Sequence, residues 1–148
     1  MSIKNMFSEK RISFDVKAES KEAVLDELIE LLDDDDKLLD KEEFKKAVLK
    51  REEEFSTGIG MGIAIPHGKS NAVKEAAMVF GKSVKGVDYD SMDGKPAHMI
   101  FLIAVPENSN DTHLKALSEI SRKLMHKDVR DSIMASEKFA DFIKVFDN

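Results

Sequence analysis

GIGMGIAIPHGKS, at residues 58–70, is the stretch on which the fold assignment depends, because it is similar to a phosphate-binding loop and also alternates like a strand. A Walker A loop requires a glycine, four further residues and then Gly-Lys-Ser or Gly-Lys-Thr, and Ile63 occupies the position of that first glycine. The dinucleotide-binding fingerprint Gly-x-Gly-x-x-Gly does not match either, because isoleucine (Ile63 or Ile65) stands at the position of its third glycine. The glycines of both motifs also follow a strand, whereas these begin one. The stretch is therefore not a nucleotide-binding loop.

Alternation predicts instead that this stretch is a strand. Its large and small residues occupy alternate positions: Ile59, Met61, Ile63 and Ile65 on one face, and Gly60, Gly62 and Ala64 on the other. Glycine within a strand usually marks close approach by another backbone or a ligand. Pro66 cannot donate a hydrogen bond to a strand ladder, so we expect it to end the strand and to hold His67 at the strand end.

Three further stretches predict strands. Apolar and polar residues alternate over residues 11–18, which places the three apolar side chains on one predicted buried face. Residues 76–84 and Ala97–Pro106 are apolar runs separated by a turn. The second run is apolar on both faces, which predicts a central strand covered by helices on each side.

Five stretches have the period of a helix. Ser20 and Asp40 are the predicted N-caps of the first two helices, and Asp111 or Thr112 is the predicted N-cap of the third. The residues expected to face the core are Ala23, Val24, Leu28, Leu31 and Leu32 in the first helix, Phe44, Ala47, Val48 and Phe55 in the second, Leu114, Leu117, Ile120 and Leu124 in the third, and Phe139, Phe142, Ile143 and Phe146 in the last. This mixture predicts an α/β fold of three layers, with a sheet between two layers of helices.

Composition limits the class of protein. A chain of 148 residues, of which 42% are hydrophobic and 35% charged, is expected to form a single domain over residues 1–148. Its net charge of −6 argues against general nucleic-acid binding, which needs a basic face. Cysteine is absent, which excludes disulfides, thiolate catalysis and cysteine metal sites. Because the sequence has neither a signal-peptide core nor a spanning apolar run, we expect a cytoplasmic protein without direct membrane insertion.

Four consecutive aspartates at residues 33–36 follow the first predicted helix. A calcium site is one interpretation, but the alternating ligands and central glycine of an EF-hand loop are missing. Carboxylates at a helix C-terminus face the negative end of its dipole, so we expect a solvated turn.

Two of the four histidines have features of a reactive site. His67, if neutral near pH 7, has one ring nitrogen free as a nucleophile, although a histidine at a strand end is often an ordinary surface hydrogen-bonding group. His113 lies in the first turn of a predicted helix, where free backbone N–H groups and the helix dipole favour an anion. His98 and His126 are expected to be structural.

Arg51 lies on the apolar stripe of the second predicted helix, which allows two interpretations. Its stem can cover the core while its head reaches water, or its guanidinium can bind an anion near the helix end. Together with His67 and His113 it would suit phosphoryl transfer without a metal. Metal binding by the two histidines is the competing interpretation. We rank it lower because no carboxylate lies at helical spacing from either histidine.

Two blocks of the sequence resemble a known family. REEEFSTGIGMGIAIPHG, at residues 51–68, is similar to the active-site signature of the fructose/mannitol-type enzyme IIA domains (EIIA type 2) of the bacterial phosphoenolpyruvate-dependent sugar phosphotransferase system. VPENSNDTHLKALSEIS, at residues 105–121, resembles the second block of that family. The resemblance runs from about Ile3 to Phe146, and Met61 stands where relatives often have a polar residue. It implies a mixed central sheet flanked by helices on both sides.

The resemblance also implies a function and roles for the candidate residues. His67 would accept a phosphoryl group from the phosphohistidine of HPr and pass it to a cysteine of enzyme IIB, while His113 and Arg51 steady the phosphoryl oxygens. No cofactor and no metal are implied. Association with the membrane enzyme IIC would occur only through IIB, and the absence of cysteine agrees with a chain that does not carry the IIB step. An exposed apolar ring around His67 is expected to dock these partners transiently.

Two other functions remain open at the level of sequence. A nitrogen-type regulatory EIIA would use the same chemistry, with its phosphorylation state controlling a partner protein. A former EIIA domain that only binds is the non-enzymatic possibility, which the intact Arg51, His67 and His113 disfavour.

Overall fold

The computed structural model describes residues 3–109 and 111–147 of the chain. Within them, six strands form one mixed sheet: β1 Ile12–Ser13, β2 Gly58–Gly60, β3 Ile63–Ala64, β4 His67–Ser70, β5 Ala77–Val87 and β6 Ala97–Pro106. The strand order is β1-β5-β6-β3-β2, and β4 also pairs with β6. β5 runs antiparallel to β6, whereas β3 and β4 run parallel to it.

Helices cover both faces of this sheet: α1 Lys21–Asp34, α2 Lys41–Glu54, α3 Thr112–Leu124, α4 Lys127–Ala135 and α5 Phe139–Lys144. α1 and α2 pack on one face, and α3, α4 and α5 pack on the other together with a 3₁₀ turn at Ile3–Met6. The predicted α/β fold of three layers is therefore confirmed. Among the helices of the described residues, none combines the length and apolar character needed to cross a membrane.

β6 is the central strand, as its two apolar faces predict, and its bounds are those expected from the sequence. Its alternate side chains join two buried clusters, one with α1 and α2 (Ile100, Leu102 and Ala104) and one with α3, α4 and α5 (Phe101, Ile103 and Val105). The neighbouring strand β5 continues past its predicted end to Val87.

The prediction of one continuous strand through residues 59–65 is wrong. Met61 and Gly62 both have positive φ, 58° and 78°, and they turn β2 back antiparallel onto β3. Two central residues with positive φ are the geometry of a tight two-residue hairpin, which glycine favours. Alternation therefore does not define one face here, because Met61 is half exposed at the turn while Ile63 is buried in β3.

The strand is interrupted at Ile65 and Pro66, and pairing with β6 then resumes in β4. Ile63 lies opposite Met99 in β6, and His67 lies opposite Ile103, so β3 and β4 keep one register along β6. Between them, the carbonyl of Pro66 accepts a hydrogen bond from the N–H of Ile103 at 3.0 Å. As expected, Pro66 lies outside the strands and His67 is at a strand end, but a new strand begins there and keeps the register of β3. His67 is the first residue of β4.

The strand predicted over residues 11–18 is limited to the two residues of β1. Ser13 lies opposite Gly81, yet the N–H of Val16 already bonds to the carbonyl of Lys82 at 2.9 Å. The bend at residues 14 and 15 thus inserts extra residues into the strand. As a result Phe14 packs with α5, whereas Val16 joins the core on the opposite face of the sheet.

The predicted N-caps of the first two helices are confirmed. Ser20 Oγ accepts a hydrogen bond from the N–H of Ala23 at 3.3 Å, and the Asp40 carboxylate accepts one from the N–H of Glu43 at 3.1 Å. α3 begins at Thr112, so its N-cap is Asp111, one of the two predicted residues, although the Asp111 side chain makes no capping hydrogen bond.

Three side chains that the helical period places in the core are exposed. Phe55 is 79% exposed because the chain becomes extended immediately after α2. Leu114 is 56% exposed, since the buried stripe of α3 runs instead through Ala116, Ile120 and Leu124. Ala23, in the first turn of α1, also faces solvent.

The aspartates at residues 33–36 only partly form the expected solvated turn. α1 continues through Asp34, and the chain turns at Asp36, whose φ is 57°. Asp35 pairs with Arg11 at 3.4 Å and Asp36 pairs with Lys74 at 2.5 Å. Two of these carboxylates therefore bind side chains from other parts of the chain.

Close packing of α2 against β4 brings the end of the helix beside His67. A Cβ at Gly68 would lie 2.8 Å from Phe44 Cε1 and 2.9 Å from Val48 Cγ2, distances that carbon atoms do not reach without displacement. Glycine is therefore required at this position of β4 for α2 to approach the sheet, which agrees with the close approach expected of strand glycines.

Gly68→Ala is expected to lower the free energy of unfolding by about 1–3 kcal/mol, because the added methyl group overpacks the contact with α2. Denaturant unfolding of the single variants and of the pair Gly68→Ala/Val48→Ala measures this effect. The pair should lose less than the sum of the two single variants, since Val48→Ala removes the atoms that clash. Strictly additive losses would contradict the close contact.

Candidate functional site

The three candidate residues come from three elements that meet near the carboxyl end of β6. His67 begins β4, His113 lies in the first turn of α3, and Arg51 lies in the last turn of α2. The rings of His67 and His113 have centroids 6.3 Å apart and planes inclined by 30°. Residues far apart in the chain therefore form one site.

His67 is held in one tautomer by the backbone. Its Nδ1 lies 3.1 Å from the carbonyl oxygen of Ile65. A carbonyl oxygen only accepts hydrogen bonds, so Nδ1 carries the hydrogen and donates it. In the neutral ring, the lone pair is then on Nε2.

Burial keeps the imidazole of His67 neutral. Removal from water is the main cause that lowers the pKa of His67, and the positive charge of Arg51 lowers it further. The Ile65 carbonyl and the carboxylates of Glu52 and Glu54 act in the opposite direction without reversing the shift. Because the ordinary pKa of histidine is near 6.5, the ring is neutral at physiological pH and Nε2 is a potential nucleophile.

Both interpretations of Arg51, a stem that covers the core and a guanidinium available to an anion, agree with its position. Its side chain is half-buried, and its Nη1 donates a hydrogen bond to the carbonyl of Phe55 at 2.9 Å, just beyond the end of α2. The guanidinium makes no other hydrogen bond to the described residues. It therefore places a cation beside His67 with donors available for an anion.

His113 offers a polar atom that has no partner. Its Nδ1 is buried and makes no hydrogen bond within the described residues. Burial lowers the pKa of His113, as do the nearby charge of Lys69 and the imidazole of His67. A buried polar atom without a partner costs free energy.

Glu52 is a buried residue of the site region that sequence reasoning missed. Its carboxylate accepts hydrogen bonds from the N–H of Thr57 at 3.0 Å, from the Thr57 hydroxyl and from the Tyr89 hydroxyl at 3.1 Å. Lys21 Nζ lies 2.9 Å from it as an ion pair. The signal was present in α2, because the spacing of four that buries Phe44 and Val48 continues to Glu52.

Two apolar side chains that are close in sequence to the candidate residues are exposed. Phe55, 79% exposed, follows the helix that carries Arg51, and Leu114, 56% exposed, follows His113. Both were expected in the core. Exposed apolar groups beside a polar site are typical of a surface that binds another protein.

Among the described residues there is no cluster of three or more histidine, aspartate or glutamate side chains arranged to hold a metal ion. The groups that do meet are a neutral imidazole, a guanidinium and a second imidazole with an unpaired nitrogen. This set can receive an anionic group on Nε2 of His67 and stabilise its oxygens by charge and hydrogen bonds.

Comparison with known proteins identifies the family of this chain. The sequence profile of the family described as "Phosphoenolpyruvate-dependent sugar phosphotransferase system, EIIA 2" matches residues 5–148. The fructose-specific EIIABC component of Bacillus subtilis is 44% identical over 137 residues, which are 93% of this chain and 22% of that protein. The chain thus spans about a fifth of that longer relative.

Two stand-alone proteins match most of both chains. The fructose-specific EIIA component of Haloferax volcanii is 40% identical over 126 residues, which cover 85% of this chain and 82% of that protein. The crystal structure of the nitrogen regulatory protein IIA-Ntr of Neisseria meningitidis has a TM-score of 0.90 and 32% identity, covering 98% of this chain and 99% of that one. The chain belongs to the EIIA 2 family of the phosphoenolpyruvate-dependent sugar phosphotransferase system.

Proposed function

We propose that His67 is the residue on which this phosphoryl carrier of the sugar phosphotransferase system holds its phosphoryl group, and that the bond forms at Nε2. The observation that carries the proposal is the hydrogen bond from Nδ1 to the Ile65 carbonyl at 3.1 Å. It fixes the hydrogen on the inner nitrogen and leaves the lone pair on the outer one. The donor is the phosphohistidine of HPr, and the acceptor is a cysteine of enzyme IIB.

The transfer needs no proton to leave His67. The Nε2 lone pair attacks phosphorus, a new N–P bond forms, and the N–P bond of the donor breaks with its electron pair remaining on the donor ring. The imidazole of His67 keeps its hydrogen on Nδ1 and becomes positively charged, so its hydrogen bond to Ile65 strengthens. In the second step, the thiolate of IIB attacks the same phosphorus and Nε2 recovers its lone pair.

Arg51 and His113 are the proposed stabilising groups. The guanidinium beside His67 offers charge and N–H donors to the phosphoryl oxygens, and the imidazole of His113, whose ring centroid lies 6.3 Å from that of His67, provides a second polar contact. A relay must also release its group. One cation and one imidazole stabilise the phosphorylated state only moderately, so most of the rate comes from positioning.

Uptake of a fructose-class sugar is the proposed pathway. It is supported by the identities of 44% and 40% to two fructose-specific relatives, one of which joins EIIA with B and C components in a single chain. In this chain we propose one cytoplasmic domain over residues 1–148, which reaches the membrane enzyme IIC only through IIB. Phe55 and Leu114 are proposed to contact HPr and IIB in turn.

A nitrogen-type regulatory role is the second candidate. The observation in its favour is the TM-score of 0.90 to the nitrogen regulatory protein of Neisseria meningitidis, at 32% identity. In that role the chemistry at His67 is unchanged, and the phosphorylated protein controls a partner protein. Transfer of label from the phosphorylated chain to a fructose-type IIB domain favours uptake, and retention of the label favours regulation.

Phosphorylated HPr is expected to label the wild-type chain once, on His67. His67→Ala should accept no label, because the only proposed nucleophile is removed. Radiolabel transfer followed by peptide mapping measures both. His126→Ala, at an exposed histidine that precedes α4, is the matched control and should be labelled like the wild type. Label that persists in His67→Ala would contradict the assignment of the nucleophile.

The pH dependence of phosphoryl acceptance follows from the lowered pKa of His67. Only the neutral ring has the lone pair, so the rate should be constant near pH 7 and fall once the pH drops through a pKa below about 6.5. NMR titration of the His67 ring protons, with initial rates, measures this midpoint. Arg51→Gln should move the midpoint upward, because the positive charge of Arg51 lowers the pKa of His67. A wild-type midpoint above the ordinary value would contradict the buried, neutral ring.

A further inference from the structure

We propose that Glu52 is a positioning residue, which fixes the tautomer and the orientation of His67 through Thr57 and Ile65. The proposal rests on the proposed function of His67 as the phosphoryl acceptor. Glu52 does not itself contact the reacting nitrogen. It acts through a continuous series of hydrogen bonds that ends at Nδ1 of the imidazole.

The Glu52 carboxylate is buried and fully occupied by donors. Its side chain is about 5% exposed, yet it accepts three hydrogen bonds from Thr57 and Tyr89 and pairs with Lys21 at 2.9 Å. Burial, followed by the nearby Glu52 charge, raises the pKa of Tyr89, which keeps that hydroxyl protonated as a donor. A buried charge with this many partners holds its neighbours in one arrangement, because any other arrangement leaves the charge unpaired.

The series of bonds leads directly from this carboxylate to His67. Glu52 Oε1 accepts the N–H of Thr57 at 3.0 Å, and the carbonyl of Thr57 accepts the N–H of Ile65 at 3.0 Å. The carbonyl of Ile65 then accepts Nδ1–H of His67 at 3.1 Å. Ile65 and Thr57 both lie outside the regular strands. The bond from the N–H of Ile65 to the carbonyl of Thr57 therefore takes the place of a strand ladder at the interruption between β3 and β4.

The same carboxylate also determines where Arg51 lies. Glu52 follows Arg51 in the last turn of α2, and its bonds to Thr57 tie that turn to the segment after it. Arg51 in turn donates a hydrogen bond to the carbonyl of Phe55, which lies between Glu52 and Thr57 in the sequence. One buried charge therefore sets the relative position of the cation and of the imidazole that the phosphoryl group must contact together.

Glu52→Gln tests the proposal, because an amide keeps the shape but presents N–H donors where the hydroxyls of Thr57 and Tyr89 already donate. Long-range ¹H–¹⁵N correlation spectra report the tautomer of His67 in the unphosphorylated protein. The wild type should have hydrogen on Nδ1, and the variant should show a mixture of tautomers. The rate of phosphoryl acceptance from phospho-HPr should fall by about 10- to 100-fold.

Glu52→Asp keeps the proposal testable if Glu52→Gln does not fold. It retains the charge but shortens the side chain, which withdraws the carboxylate from the N–H of Thr57, so it should also disturb the His67 tautomer and slow acceptance. Tyr89→Phe is the matched control, because it removes a hydroxyl from Glu52 Oε2 while the series to His67 starts at Oε1 and runs through the backbone of Thr57. It should lower only the unfolding temperature.

The outcomes separate this proposal from the function on which it rests. An unchanged tautomer and rate in folded Glu52→Gln or Glu52→Asp, or equal effects of the Glu52 variants and of Tyr89→Phe on the tautomer, would overturn the role of Glu52. A wild type that takes no phosphoryl group on His67 would overturn the proposed function. In that case the tautomer spectra still decide whether Glu52 orients the imidazole.

Discussion

Parallel pairing of residues 63–70 with β6 is the constraint on which the site depends. The register is the same before and after the interruption at Ile65 and Pro66, so His67 has a fixed height along the central strand. β6 is buried on both faces and cannot shift without exposing two apolar clusters. The position of the His67 imidazole is therefore set by the buried core.

Arg51 and His113 lie near His67 because α2 packs against β4 and α3 follows β6. Gly68 permits the close approach of α2, whose last turn carries Arg51, and α3 begins with His113 a few residues after β6 ends. The interruption at Ile65 and Pro66 determines the tautomer of His67. There the Ile65 carbonyl bonds to the imidazole of His67, while the N–H of Ile65 bonds to Thr57.

Much of the fold could be predicted from local pattern. β6 was predicted with its exact limits because a run that is apolar on both faces has few alternatives to a central strand, and Ser20 and Asp40 were predicted because a helix N-terminus needs a side-chain acceptor. The hairpin at Met61 was missed because alternation alone cannot distinguish a strand from a tight turn rich in glycine. Phe55 was misplaced because the helical period was extended one residue past the end of α2.

The candidate site was predictable as a set of residues but not as an arrangement. Histidine and arginine chemistry and the family resemblance singled out His67, His113 and Arg51. The buried carboxylate of Glu52 has as its partners Thr57, Tyr89 and Lys21, which come together only in the folded chain. A charged residue on an apolar stripe was the visible signal, and in α2 it was assigned to Arg51 although Glu52 also continues the stripe.

The position of the N–P bond tests the whole arrangement most directly. Phosphorylation of the ¹⁵N-labelled chain by phospho-HPr, followed by ¹⁵N and ³¹P NMR, identifies the nitrogen that binds phosphorus. The bond from Nδ1 to Ile65 predicts phosphorus on Nε2 of His67, with hydrogen retained on Nδ1. Phosphorus on Nδ1, or on any residue other than His67, would contradict it.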